Sequence, residues 1–167
     1  MKTLSHLITL FMFLGFTLNI SAQSSDLEHL KPLVGNWSGS GWTRMPDGKI
    51  EKFNQTEKIE LRLKDNILVI NGIGRSAETG EVSFEAIGIV YKEPSGAYKM
   101  NAHTQEGGHT IANFTIEPNK FSWWFDVPSG TIKYDAEFTD NTWVEKGNFS
   151  PDGQQWYPFF EMTLKKD

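Results

Sequence analysis

Glu57 is the residue whose position most needs a chemical explanation. From Lys52 to Leu63, the residues Phe53, Gln55, Glu57, Ile59, Leu61 and Leu63 alternate with Lys52, Asn54, Thr56, Lys58, Glu60 and Arg62. A strand points alternate side chains to opposite faces. The charged set must take water, so Gln55 and Glu57 fall on the inner face between Phe53 and Ile59. Burying a carboxylate without a partner costs far more than one apolar contact returns. Three readings meet that cost. Arg75, Tyr98 or Tyr134 pairs with Glu57 in a structural network; a bulge returns Glu57 to water; or Glu57 meets a ligand. In a catalytic version of the last, it would act as general acid or base, with Tyr98 or Tyr134 as proton partner. Glu145, in phase with Trp143 and Phe149, has a weaker claim of the same kind.

Other chemistry finds little support. A zinc site needs several converging ligands, whereas beyond the first 22 residues the chain has only His29, His103 and His109 and no cysteine anywhere. His103 and His109 flank Gln105–Gly108, so a hairpin could bring them together, outside the fold if Tyr98, Met100 and Ala102 take the inside. Neither Gly72-Ile73-Gly74 nor Gly107-Gly108 has the lysine and following helix of a phosphate-binding loop. No serine sits in a nucleophile-elbow pattern. We therefore expect no metal, no cofactor and no catalytic residue set. The net charge of −5 disfavours nucleic acid and anionic membrane surfaces, which require a clustered basic patch.

The elements that must position Glu57 are strands. Turn signals recur at nearly regular intervals, among them Met45–Gly48, Lys64–Asn66, Glu93–Gly96, Pro128–Gly130 and Pro151–Gly153, and nine of them separate ten strand-like runs. Alternation places Ile132, Tyr134, Ala136 and Phe138 inward, and likewise Trp156, Phe160, Met162 and Leu164. Ile67–Ile73 and Ala86–Tyr91 are apolar on both phases or broken by glycine, which gives no orientation and predicts bulges. Ser25–Leu33 predicts a helical turn or two, limited by Pro32, with Leu27, Leu30 and Leu33 on one side. Every connection is short, so successive strands are antiparallel neighbours. A ten-strand meander has two costly edges unless it closes. The expected fold is all-β: a closed up-and-down antiparallel barrel of about ten strands with a short N-terminal helical turn.

The opening strand carries Gly35-Asn36-Trp37-Ser38-Gly39-Ser40-Gly41 directly after that helical turn, and Trp143-Val144-Glu145 with Ser150–Gly153 closes the chain. This resembles the calycin group, and within it the nitrobindin-like and lipocalin-like bacterial proteins of unassigned function. The resemblance implies that Trp37 plugs one barrel end beneath the helix. Among nitrobindins it also implies a haem held by a histidine close to the C-terminus. Here the last histidine is His109 and Phe159–Leu164 contains none, so haem is not carried over.

Met1-Lys2-Thr3 followed by the apolar run Leu7–Ile20 reads as a signal peptide, residues 1–22, cleaved before Gln23. We expect an exported protein, periplasmic or secreted, with no membrane anchor after cleavage and a single domain from residue 23 to 167. Phe53, Gln55, Glu57, Tyr98, Met100, Trp123, Phe125, Tyr134 and Phe160 are the expected ligand-facing residues, because aromatic walls with few polar anchors suit small ligands. The expected partner is a small hydrophobic molecule. The alternatives are an isomerase or cyclase built on Glu57, and a barrel that meets a protein partner or forms a homodimer through rings such as Trp124 and Phe159.

Overall fold

The computed structural model describes residues 26–167; the expected signal peptide and the start at Gln23 lie outside the described residues. A 3-10 helix, Asp26–Leu33, precedes ten strands: β1 Gly35–Arg44, β2 Ile50–Arg62, β3 Ile67–Ser76, β4 Val82–Lys92, β5 Tyr98–Thr104, β6 His109–Glu117, β7 Lys120–Val127, β8 Gly130–Phe138, β9 Thr142–Ser150 and β10 Tyr157–Lys166. Each strand pairs antiparallel with the next, and β10 returns to β1 to close the barrel. The expected fold is the one found.

The helix and Trp37 close one end. Leucines three apart fall on one side of a helix with three residues per turn, and Leu27, Leu30 and Leu33 are all buried there. Trp37, fully buried, donates its indole N–H to Leu33 O at 2.7 Å. Its ring meets Trp143 edge-on at 6.1 Å. Lys166 holds the seam from the other side, with Nζ bonded to Pro32 O at 2.7 Å. Ile59, Leu68, Val90, Phe121, Phe138 and Leu164 join this apolar cluster. Among the described residues the opposite end has no such plug.

Four local expectations change. Leu63 was expected inward, but β2 ends at Arg62 and Leu63, Lys64 and Asp65 all take left-handed backbone (φ 54, 57 and 63°), leaving Leu63 71% exposed. Trp156 also lies outside: β10 begins only at Tyr157 and Trp156 is exposed. Asp152-Gly153 was expected in a tight turn and instead opens a six-residue connection, where the Asp152 carboxylate accepts the N–H groups of Gln154 and Gln155. Finally, the β3–β4 register runs unbroken from Ile67↔Tyr91 to Gly74↔Phe84 and shifts only at Gly74/Arg75. The glycine in the middle of β3 is therefore not a bulge. It faces inward, opposite Glu57.

Candidate functional site

β2 places Phe53, Gln55, Glu57 and Ile59 on the inner face as its alternation predicts, and all four are buried. Glu57 fits because its cross-strand neighbour is Gly72. A Cβ at Gly72 would stand 2.6 Å from Glu57 Oε1 and 2.8 Å from Oε2. The carboxylate occupies the space that any other side chain would fill.

Its partner is neither arginine nor tyrosine. Gln55 Nε2 donates to Glu57 Oε1 at 2.8 Å, from two residues along the same strand. Oε2 is buried and accepts no hydrogen bond. Arg75 lies outside, exposed, with its guanidinium near Gly80 O. Tyr98 is in the core with the Lys92 ammonium 5.1 Å above its ring, and its buried hydroxyl is likewise without a partner.

The second polar group inside is Glu145 on β9, which is 5% exposed. Trp123 Nε1, from β7, donates to Glu145 Oε1 at 3.0 Å. Trp143 also favours the charged form of Glu145, although its N–H makes no hydrogen bond of normal geometry. Burial dominates both carboxyls. It pushes Glu57 up to about 8 against the pull of Gln55, with the charge of Glu145 adding to the rise. It pushes Glu145 up to about 7 against the two indoles, with Asp135 adding to the rise. Tyr134 is raised by burial around its hydroxyl and then by Glu145. Besides burial, the groups that shift these two carboxyls are Gln55 and Glu145 at Glu57, and Trp123, Trp143 and Asp135 at Glu145.

Beside this pair runs an aromatic wall. Phe53 stacks on Phe160 (5.5 Å), Phe160 meets Tyr134 edge-on (5.5 Å), Tyr134 stacks on Trp123 (4.0 Å, 6°) and Trp123 on Phe125 (6.0 Å). The rings of β2 and β10, and of β10 and β8, reach each other across an intervening strand. Glycine makes that reach possible. A Cβ on Gly41 of β1 would come within 2.5 Å of Phe53 Cζ, and one on Gly147 of β9 within 2.8 Å of Tyr134 Cε1. Trp123, Phe125, Tyr134 and Phe160 face inward and are each only partly buried. Met100, also inward, is buried deeper.

The structure thus brings Phe53, Gln55, Glu57, Trp123, Phe125, Tyr134 and Phe160 around one interior, with Met100 and Tyr98 in the adjoining core. Sequence reasoning underrated Glu145. Its signal was the inward phase shared with Trp143, and its cross-strand partner is the small, buried Ala136. It also misplaced Phe159, expected as an exposed ring. The register shift between Pro158 and Phe160 turns Phe159 toward Tyr134, 5.6 Å away, above Gly147. Trp124 does face out, half-buried, in a shallow depression with Tyr98, Asn113 and Ile116. That hollow and a second one along Ser40, Trp42, Lys52 and Thr163 lie on the outer wall, away from the carboxyls.

His103 and His109 do meet, ring centroids 4.6 Å apart, but on the outside and stacked face to face. Among the described residues no group of three or more histidine, cysteine or acidic side chains could hold a metal ion. His29, His103 and His109 are all exposed, so none of the described imidazoles reaches the interior. A histidine-held haem does not fit these residues.

The geometry generates two expectations. Gly147→Ala should destabilise the fold by about 1–3 kcal/mol in urea unfolding, the usual cost of overpacking. Because the new methyl strikes Tyr134, the loss should be smaller when combined with Tyr134→Ala; simple additivity would refute the wedge. The second concerns pH. Both carboxyls are raised from an ordinary 4.5, to about 8 and about 7, so the folded chain holds protons that the unfolded chain has released. The stability this contributes is fully present below about pH 4.5 and is lost as pH rises through those folded values. The melting temperature should fall from about pH 5 to about pH 8.5, and a Glu57→Gln/Glu145→Gln double variant should lose that component of the slope. An undiminished slope would locate its origin elsewhere.

Comparison with protein-family models gives no match, and no curated protein matches. Solved structures do match. Rv2717c from M. tuberculosis superposes with a TM-score of 0.66 at 12% identity, over 86% of this chain and 98% of that one. The S-type phycobiliprotein lyase CPES from Guillardia theta superposes with a TM-score of 0.60 at 12% identity, over 87% of this chain and 94% of that one. Both are ten-strand antiparallel barrels of the calycin-like kind, and at such identities the likeness is one of fold.

Proposed function

We propose that this protein binds a small, largely apolar molecule inside the barrel without transforming it, and does so outside the cytoplasm. The observation that carries the reading is the aromatic wall from Phe53 to Phe125, continuous on the inner face and still partly open beside Glu57 and Glu145. Trp37 and Trp143 at the plugged end are covered almost completely, whereas Trp123, Phe125, Tyr134 and Phe160 are only partly buried. Concave aromatic surfaces with few polar groups are the usual form of small-ligand sites. A catalytic reading would use the same Glu57, but neither proposed tyrosine partner hydrogen-bonds to it. Binding is therefore the better-supported function. The Gly-x-Trp opening under the helix supports a nitrobindin-like or lipocalin-like placement within the calycin-like barrels, without the haem.

A neutral fluorescent probe, N-phenyl-1-naphthylamine, should bind saturably at one site. Trp123→Leu should weaken it by about tenfold, since an anchoring ring in a binding site commonly carries 1–2 kcal/mol. Absence of saturable binding, or a variant indistinguishable from the parent, would overturn the reading. Export rests on the basic start and apolar run at residues 2–20. N-terminal sequencing of protein expressed in a Gram-negative host should find Gln23 first in the periplasmic fraction; an uncleaved cytoplasmic chain would refute it.

A further inference from the structure

We propose that the seam between β6 and β7 is the gate of the barrel, where the β5–β6 and β7–β8 hairpins part to pass an apolar molecule to Phe125 and Trp123. What the gate passes rests on the ligand-binding reading above; the seam itself stands on backbone pairing.

β6 and β7 are joined only over the halves nearer the plug, from Glu117↔Lys120 to Asn113↔Trp124. Toward the mouth, His109–Ala112 of β6 and Phe125–Val127 of β7 remain strand but have no partner across the seam. Among the described strands, every other ladder runs at the mouth to within one residue of the end of one of its strands. The two hairpins are complete in themselves. β5 pairs with β6 up to His103↔His109, and β7 with β8 up to Val127↔Gly130.

The side chains repeat this division. His109 stacks on His103 and hydrogen-bonds to Asn101, all within one hairpin. Asp126 accepts the Thr131 hydroxyl at 2.7 Å and Phe125 stacks on Trp123 at 6.0 Å, all within the other. Among the described residues, no side-chain hydrogen bond, ion pair or ring contact joins 109–112 to 125–127. Continuing the register would set Ile111 opposite Asp126, an apolar side chain against a carboxylate already bonded to its own hairpin. Such a pair contributes nothing to closure.

Neighbouring strands are held together by backbone hydrogen bonds, and parting a paired ladder breaks them in succession. Between Asn113↔Trp124 and the mouth there is no ladder to break, so this is where the wall opens at least cost. Phe125 stands on the seam and faces inward, one step nearer the mouth than Trp123. Ile111, 56% exposed, gives the outer side an apolar lip.

Amide exchange resolved by residue tests the seam. In His109–Ala112 and Phe125–Val127, the amides turned toward the seam should exchange at least about a hundredfold faster than those turned toward β5 and β8. Equal protection on both sides would overturn seam and gate together, whatever the protein binds. The gate is tested by cross-linking. The chain has no cysteine, so an Ile111→Cys/Asp126→Cys variant can be bridged with propanediyl bismethanethiosulfonate and released with a reductant, circular dichroism reporting the fold at each stage. Stopped-flow capture of N-phenyl-1-naphthylamine should slow by at least about tenfold on bridging and recover on reduction, with the final extent of binding unchanged. An Asn54→Cys/Arg75→Cys control, across the fully paired β2–β3 ladder, should capture at the parent rate. Capture unaffected by the β6–β7 bridge, or slowed equally by the control, would overturn the gate and leave ligand binding standing. So would arms that the reagent cannot bridge, since a gate must close. A parent protein that captures no probe would count against the binding reading and take the gate with it, while exchange alone still judges the seam.

Discussion

β1 meets β10 along seven residue pairs, from Trp37↔Lys166 to Thr43↔Phe160, and without that seam the meander would be a twisted sheet with two long edges open to other chains. Closure supplies more than edge protection. It gives the sheet an inside that water reaches only from an end, and every electrostatic feature of the interior follows from that seclusion. Gly39 and Gly41 lie on the inner face of the seam, where a Cβ would strike β10. The contact that makes the barrel a barrel thus depends on two absent side chains in its first strand.

The interior divides along the barrel axis. At the plugged end, leucines from the helix, Trp37, Trp143 and Phe121 form a dry core of the ordinary kind. Beyond it, polarity enters at Gln55, Glu57 and Glu145, each accommodated by a small neighbour or a single hydrogen bond. A polar layer of this kind gives up stability compared with apolar packing of the same volume. A fold that retains it has accepted the cost at one level of the barrel while leaving the rest of the core conventional.

The architecture was legible because β2 and β8 alternate cleanly and the turns use residues suited to tight bends. Gln55, Glu57, Tyr134 and the rings of β7 could be placed from period two alone. What escaped had physical reasons. β3 is apolar on both faces, since its outer isoleucines and valine lie on the barrel wall, so hydropathy gave no phase; the inward glycine carries no hydropathic signal at all. Phe159 was lost to the register shift between Pro158 and Phe160, which lets two consecutive rings, Phe159 and Phe160, both meet Tyr134. Leu63 was lost to a left-handed turn that no apolar pattern reports. The pairing of Glu57 with Gln55, rather than with arginine or tyrosine, was hidden because neighbours two apart on one strand share a face, a proximity easily overlooked beside long-range candidates.

Among the described residues, the plug formed by Leu27, Leu30, Leu33 and Trp37 occupies one end only. On the binding reading proposed above, and with the described residues alone, a molecule held within would enter and leave past the hairpin connections β1–β2, β3–β4, β5–β6, β7–β8 and β9–β10. A single doorway imposes a kinetic rule. Whatever narrows or widens that mouth without touching the occupied position scales entry and escape by the same factor, so residence time can be tuned over a wide range while the equilibrium constant stays where the interior sets it.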